Sequence, residues 1–164
     1  MGKKATKAAN NMYYMARYEA AEKDSTFSSR EKTSEVIGVE RTRLANIELG
    51  NIVPYPEEVK CMAKAYGTPE LCNTFCAKEC PIGQNTVQEV RMDDFDRLAL
   101  RVLGSLREVE DIRDSLVDIA EDGMIGPGEE KQFEQVLAAL EEISNNARAL
   151  KLWAEKNIKN HLQE

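Results

Sequence analysis

Apolar and polar positions along the chain change rhythm near residue 86: short periods punctuated by glycine and proline give way to long seven-residue repeats. In "AANNMYYMARYEAAEK", Met12, Met15, Ala16 and Ala20 are spaced as one face of an amphipathic helix. Ser28 or Ser29 can cap a second helix, "REKTSEVI", because a serine hydroxyl accepts from first-turn amides. Gly38 ends it, since glycine takes the left-handed conformation cheaply. "ERTRLANIEL" predicts a third helix with Leu44 and Ile47 facing inward, Ala45 small enough to lie against a neighbour, and Gly50 as its stop. Pro54 and Pro56 lack amide donors and break the chain. Pro56 opens a fourth helix carrying Val59, Met62, Ala63 and Tyr66 on one face, stopped by Gly67. Thr68 as cap and Pro69 at the first position start a fifth. Pro81 and Gly83 close a domain at residues 8–83.

In the second region Phe95, Val102, Val109 and Leu116 recur every seven residues, with Leu98, Ser105, Ile112 and Ile119 in the complementary register. This is an a/d heptad pattern interrupted at Ser105. After "EDGMIGPGEE" it resumes as Phe133, Leu140, Ala147, Ala154 and Val136, Ile143, Leu150, Asn157. Two helices of roughly 34 residues, about 50 Å each at 1.5 Å per residue, are expected across residues 86–163. Joined by a short Gly/Pro turn, they form an antiparallel hairpin. The expected fold class is all-α: a five-helix domain followed by a long coiled-coil-like helical hairpin. Two helices bury little, so their seams ask for more. A second copy completing a four-helix bundle makes a homodimer through residues 87–163; the alternative is packing against the chain's own N-terminal domain.

Composition narrows the classes. Of 164 residues, 42% are hydrophobic and only 6% aromatic, so the core must be mostly aliphatic. No apolar run approaches the ~18 residues of a membrane span, and the N-terminus has no apolar signal core. The expectation is a cytoplasmic protein without a membrane partner, its four cysteines reduced. The net charge of −7 is uneven. Residues 1–55 carry nine Lys/Arg against seven Asp/Glu, and the remainder thirteen against twenty-two. Only the N-terminal part is suited to phosphates.

The second and third helices are joined by "IGVE", a short glycine-bearing turn of the helix-turn-helix kind. Its second helix lies in a major groove and offers N-terminal side chains to bases. Pointing away from Leu44 and Ile47 are Arg41, Thr42, Arg43 and Asn46. Arginine can grip guanine, asparagine can pair with adenine, and threonine can meet a thymine methyl. "SSREKTSEVIGVERTRLANIELGNIVPYPEEVKCMAKAYGTPEL" resembles the DNA-binding domain of XRE-like (lambda-repressor-like) transcriptional regulators, from about Phe27 to Leu71. The "IGV" turn, the "IE-x-G" ending, the following proline and the Tyr-Gly stop carry the resemblance. It implies five helices, a dimer on a pseudo-palindromic operator, and base contacts from Arg41, Thr42, Arg43 and Asn46. It also implies Arg30 near a phosphate and Glu48 in internal hydrogen bonds. Lys3, Lys4 and Lys7 form a basic arm expected to engage the backbone. Departures are Glu40, where the family has serine or threonine, and Thr33-Ser34 in place of Leu-Ala. Glu40 suits the helix dipole but repels phosphates; alternatively it accepts from cytosine.

Cys72, Cys76 and Cys80 recur at i, i+4, i+8, with Cys61 on the preceding helix. Four thiolates can hold zinc or an iron–sulfur cluster, but the spacing matches no standard pattern, and free cysteines commonly pack as small hydrophobes. The expectation is no metal and no cofactor. Catalytic signatures are missing: the chain has no phosphate-cradling glycine loop or nucleophile elbow, and its single histidine, His161, lies in the tail. The expectation is therefore a dimeric, sequence-specific regulator of transcription on double-stranded DNA, a repressor in its simplest form, and not an enzyme. The alternative is an interaction module whose acidic hairpin binds a protein partner.

Overall fold

The computed structural model describes residues 8–120, 124–126 and 128–158. The described residues form helices and their connections, with no strand among them. The elements are α1 (Met12–Lys23), α2 (Arg30–Ile37), α3 (Arg41–Glu48), α4 (Pro56–Tyr66), α5 (Glu70–Lys78), α6 (Phe95–Leu106), α7 (Val109–Ala120) and α8 (Glu130–Asn157), with short 3₁₀ turns at Ser25–Ser28 and Gly83–Asn85. They fall into two compact units: Val90–Ala154, and the remainder up to Glu89 together with the segment from Glu155. The boundary lies six residues beyond the expected domain end at 83.

Local chemistry sets the starts and stops of the first unit. Asn11 caps α1, its Oδ1 accepting from the Tyr13 and Tyr14 amides at 3.0 Å each. Its Nδ2 donates to the Ile47 carbonyl at 2.9 Å, tying α1 to the end of α3. Ser29 caps α2, accepting from the Lys32 amide at 3.3 Å. Gly38 ends α2 at φ 69° and ψ 20°, where a side chain would meet its own carbonyl. The α5 start differs from expectation. Its first residue is Glu70, Pro69 occupies the cap, and the Thr68 hydroxyl bonds back to the Tyr66 carbonyl at 3.3 Å. The first-turn amides of Leu71 and Cys72 are met instead by the Thr68 and Pro69 carbonyls at 3.1 and 3.3 Å.

The core of this unit gathers Tyr13, Ala16, Phe27, Ile37, Leu44, Ile47, Val59, Met62 and Leu71, with further small apolar residues. Leu44, Ile47 and Met62 are fully buried, each contributing about 1.5–3 kcal/mol of transfer free energy. The face of α1 is rotated from the expected one: Tyr13, Ala16, Arg17 and Ala20 are buried, while Met12 and Met15 are only half-buried. The reason is polar. Arg17 must reach Glu48, whose side chain is wholly buried. Arg17 Nε and Nη2 donate to the two Glu48 oxygens at 2.5 and 3.0 Å, and Nη1 donates to the Phe27 carbonyl at 2.8 Å. Arg30 Nε adds a bond to Glu48 at 2.6 Å. A buried carboxylate with three charge-assisted donors fixes α1, α2 and α3 together.

Gly83 comes so close to α5 that an added Cβ would stand 2.1 Å from the Cys76 carbonyl oxygen.

In the second unit Val90, Leu98 and Ala149 form a small core with Met92, Leu150, Leu152 and Trp153, and the Phe95 and Trp153 rings lie 5.0 Å apart. The expected first long helix is corrected here. Residues 87–94 are not helical, and a turn at residues 107 and 108 divides α6 from α7. The Arg107 amide bonds to Gly104, three residues back, and the α-helical register restarts with Ile112 bonding to Glu108. Glycine and serine at 104 and 105 are weak helix formers, and the break follows the point where the heptad fails. One heptad series is the more buried, through Leu98, Ile112, Ile119 and Val136; in the other Phe95, Val109, Leu116 and Leu140 are exposed, while Val102 and Phe133 are half-buried. The turn expected to join the two long helices falls largely on residues 121–123 and 127, outside the described residues.

Glu48→Ala leaves Arg17 buried without its partner and is expected to cost about 3–5 kcal/mol, measured by urea unfolding. Gly83→Ala forces backbone apart and is expected to cost about 1–3 kcal/mol in the same assay.

Candidate functional site

The exposed start of α3 is built by its neighbours. Gly38 turns the chain out of α2, Val39 is buried, and Glu40 begins the next helix. The two Glu40 oxygens accept from the Thr42 and Arg43 amides at 2.8 and 2.9 Å. Both are therefore spent on the helix start, where the dipole favours a negative charge. The Thr42 and Arg43 amide bonds hold the Glu40 carboxyl below its usual range. Leu44 and Ile47 pin α3 from beneath, which leaves Arg41 and Thr42 exposed at its first turn.

Ser29, Arg30, Glu31, Arg41, Thr42 and Ala45 line an open pocket of about 400 Å³ between the starts of α2 and α3. Two guanidinium groups and two hydroxyls face one carboxylate there, a set suited to a phosphate-bearing strand. Arg30 is not a free cation: its Nε is bound to Glu48, although the side chain stays 30% exposed.

Arg43 is tied to α4. It is half-buried, and its Nε and Nη2 donate to the two oxygens of Glu58 on α4 at 2.5 and 2.8 Å. Its guanidinium lies over the Tyr55 ring, 4.4 Å from the centroid. Glu58 also accepts from the Tyr55 amide at 2.7 Å and so caps α4. The Arg43 bonds, with that amide, hold the Glu58 carboxyl below its usual range. The signal for Glu58 was in the sequence: Pro56 marks the first helical residue, and a glutamate two positions later is placed to reach back to the cap. Nothing in the sequence pairs it with Arg43. Asn46 is half-buried, its Oδ1 accepting from Asn51 Nδ2 at 3.1 Å. Lys3, Lys4 and Lys7 lie outside the described residues.

The cysteines do not converge. Cys61 is exposed on α4, whereas Cys72, Cys76 and Cys80 pack half-buried against the core. Burial, and then the neighbouring Cys76, push the Cys72 thiol up. Among the described residues no group of three His, Cys, Asp or Glu is arranged to hold a metal ion. No helix among them is long and apolar enough to cross a membrane.

No family model, curated protein or solved structure matches the chain.

Because the Glu40 carboxyl has its lower pKa in the folded state, its stabilising contribution is complete above the ordinary carboxylate range. It is lost as pH falls through that range toward the folded value. Glu40→Ala is expected to lower the thermal midpoint at neutral pH and to have little effect near about pH 2. An equal loss at both pH values would rule out a carboxylate cap.

Proposed function

We propose that the chain is a sequence-specific DNA-binding regulator of transcription, in its simplest form a repressor. In this reading α2 and α3 act as a helix-turn-helix of the XRE-like kind, and α3 enters the major groove. The observation that carries it is the exposed Arg41–Thr42 pair at the first turn of α3. Beside the pair runs a pocket whose other cation is Arg30. Arg41 and Thr42 read base edges, Arg43 reads a third, and Asn46 reads an adenine once Asn51 gives way. Arg30 and the Lys3, Lys4, Lys7 arm face phosphates. Action is by occupying an operator, with no catalytic step.

The acting species in this proposal is a homodimer through α6, α7 and α8. Exposed Val109 and Leu116, seven residues apart on α7, support it together with exposed Leu140 on α8, because apolar residues at seven-residue spacing fit a second helix bearing the same spacing.

A second reading, an interaction module whose acidic hairpin binds a protein, is favoured by one observation: Arg30 and Arg43 are both engaged by carboxylates. Salt dependence separates the two readings. Binding to genomic fragments that weakens steeply with salt supports the first; absence of DNA binding at low salt leaves only the second.

Arg41→Ala is expected to weaken binding to a selected sequence by about 1–3 kcal/mol and to relax preference at one base pair, read by fluorescence anisotropy. Val109→Asp with Leu116→Asp is expected to shift the dimer to monomer in light scattering while helical circular dichroism persists. A mass unchanged from wild type places the dimer elsewhere.

A further inference from the structure

Arg43 is held in a way that an arginine waiting for a phosphate does not need. Two of its five N–H groups go to Glu58, and the flat face of the guanidinium rests on Tyr55. The two hydrogens on Nη1 and the second on Nη2 have no acceptor among the described residues, and the side chain remains 30% exposed. The guanidinium is planar, so engaging the Nε–Nη2 edge leaves the Nη1–Nη2 end as a pair of parallel donors in a fixed plane. That end matches two acceptors side by side, as guanine offers at O6 and N7.

We propose that Glu58 and Tyr55, both outside α3, hold Arg43 as an end-on reader of one guanine. The inference rests on the DNA-binding reading above. Glu58 is a positioning residue: it touches no base, and it sets the plane and direction in which Arg43 meets one. A phosphate fits the same donor end. It accepts from many directions, however, so a flexible cation serves it, whereas a base edge rewards an arginine already ordered in the free protein. Glu58 also cancels the Arg43 charge. The held arginine therefore adds little to counterion release, and Arg41, with no carboxylate on its guanidinium among the described residues, carries that part. The same glutamate caps α4 through the Tyr55 amide, so its position is fixed by the fold and not by the arginine alone.

The test begins with duplexes selected from random sequence by the wild-type chain, followed by anisotropy titrations over a salt series. Glu58→Gln keeps an acceptor for the Tyr55 amide and removes the charge. It is expected to lower preference for guanine at one position by about tenfold. Binding to random duplex stays equal or tightens, and the salt slope steepens by about one unit. Tyr55→Leu, at a 63% exposed position, is expected to relax the same position by a smaller factor and carries the test alone should Glu58→Gln fail to fold. Unchanged preference at every position in the folded variants would make Arg43 a strut between α3 and α4 and overturn the proposal. Equal loss on all sequences in Arg43→Ala would assign the donor end to a phosphate and overturn it too. A wild-type chain that selects no sequence sinks the DNA-binding reading first, and this inference with it.

Discussion

The first unit is organised around one buried negative charge. Glu48 sits at the end of α3 with no exposed surface and takes bonds from Arg17 on α1 and Arg30 on α2. Removing a carboxylate from water costs several kcal/mol, and only well-aligned cations offset that cost. Such a group adds little net stability over an apolar residue, but it admits few arrangements of its partners. Three helices must meet it at once. Their relative placement follows, and so does the direction in which the first turn of α3 faces.

The same accounting of charge governs what remains on the surface. Four arginines lie in the first 55 residues: Arg17, Arg30, Arg41 and Arg43. Arg17 and Arg30 serve Glu48, and Arg43 serves Glu58. Glu48 is already counted in the balance of this segment, so the Arg43–Glu58 pair alone lowers its modest basic excess further as a field. A surface of this kind does not hold polyanions by bulk attraction; any selectivity must come from the direction of individual donors. In the proposed function this favours base reading over non-specific adhesion.

The second unit shows a different kind of incompleteness. One heptad series supplies its buried residues, and most of the other is exposed. The break at residues 107 and 108 shortens the helices without disturbing the seven-residue spacing on either side. Val109 and Leu116 on α7 and Leu140 on α8 thus present apolar side chains in the rhythm of a helical partner. The buried series alone makes a small core, and a helical unit with so little apolar burial is marginal by itself.

Local patterns in the sequence determined much of this. Helix limits followed from Ser29, Gly38, Gly50, Pro56 and Gly67 because capping, left-handed glycine and missing amides act within a turn or two of the residue concerned. The inward faces of α3 and α4 followed from the 3.6-residue period. The same period set Arg41, Thr42, Arg43 and Asn46 on the side of α3 away from Leu44 and Ile47. The rest was decided only in three dimensions. The face of α1 turned toward Arg17 because Glu48, 31 residues later, required it. Arg43 was drawn to Glu58, 15 residues away, and Arg30 to Glu48, 18 residues away. Tertiary folding sets which charges come within reach of one another, and a charge pair forms by distance in space, to which hydrophobic period and local propensity are blind.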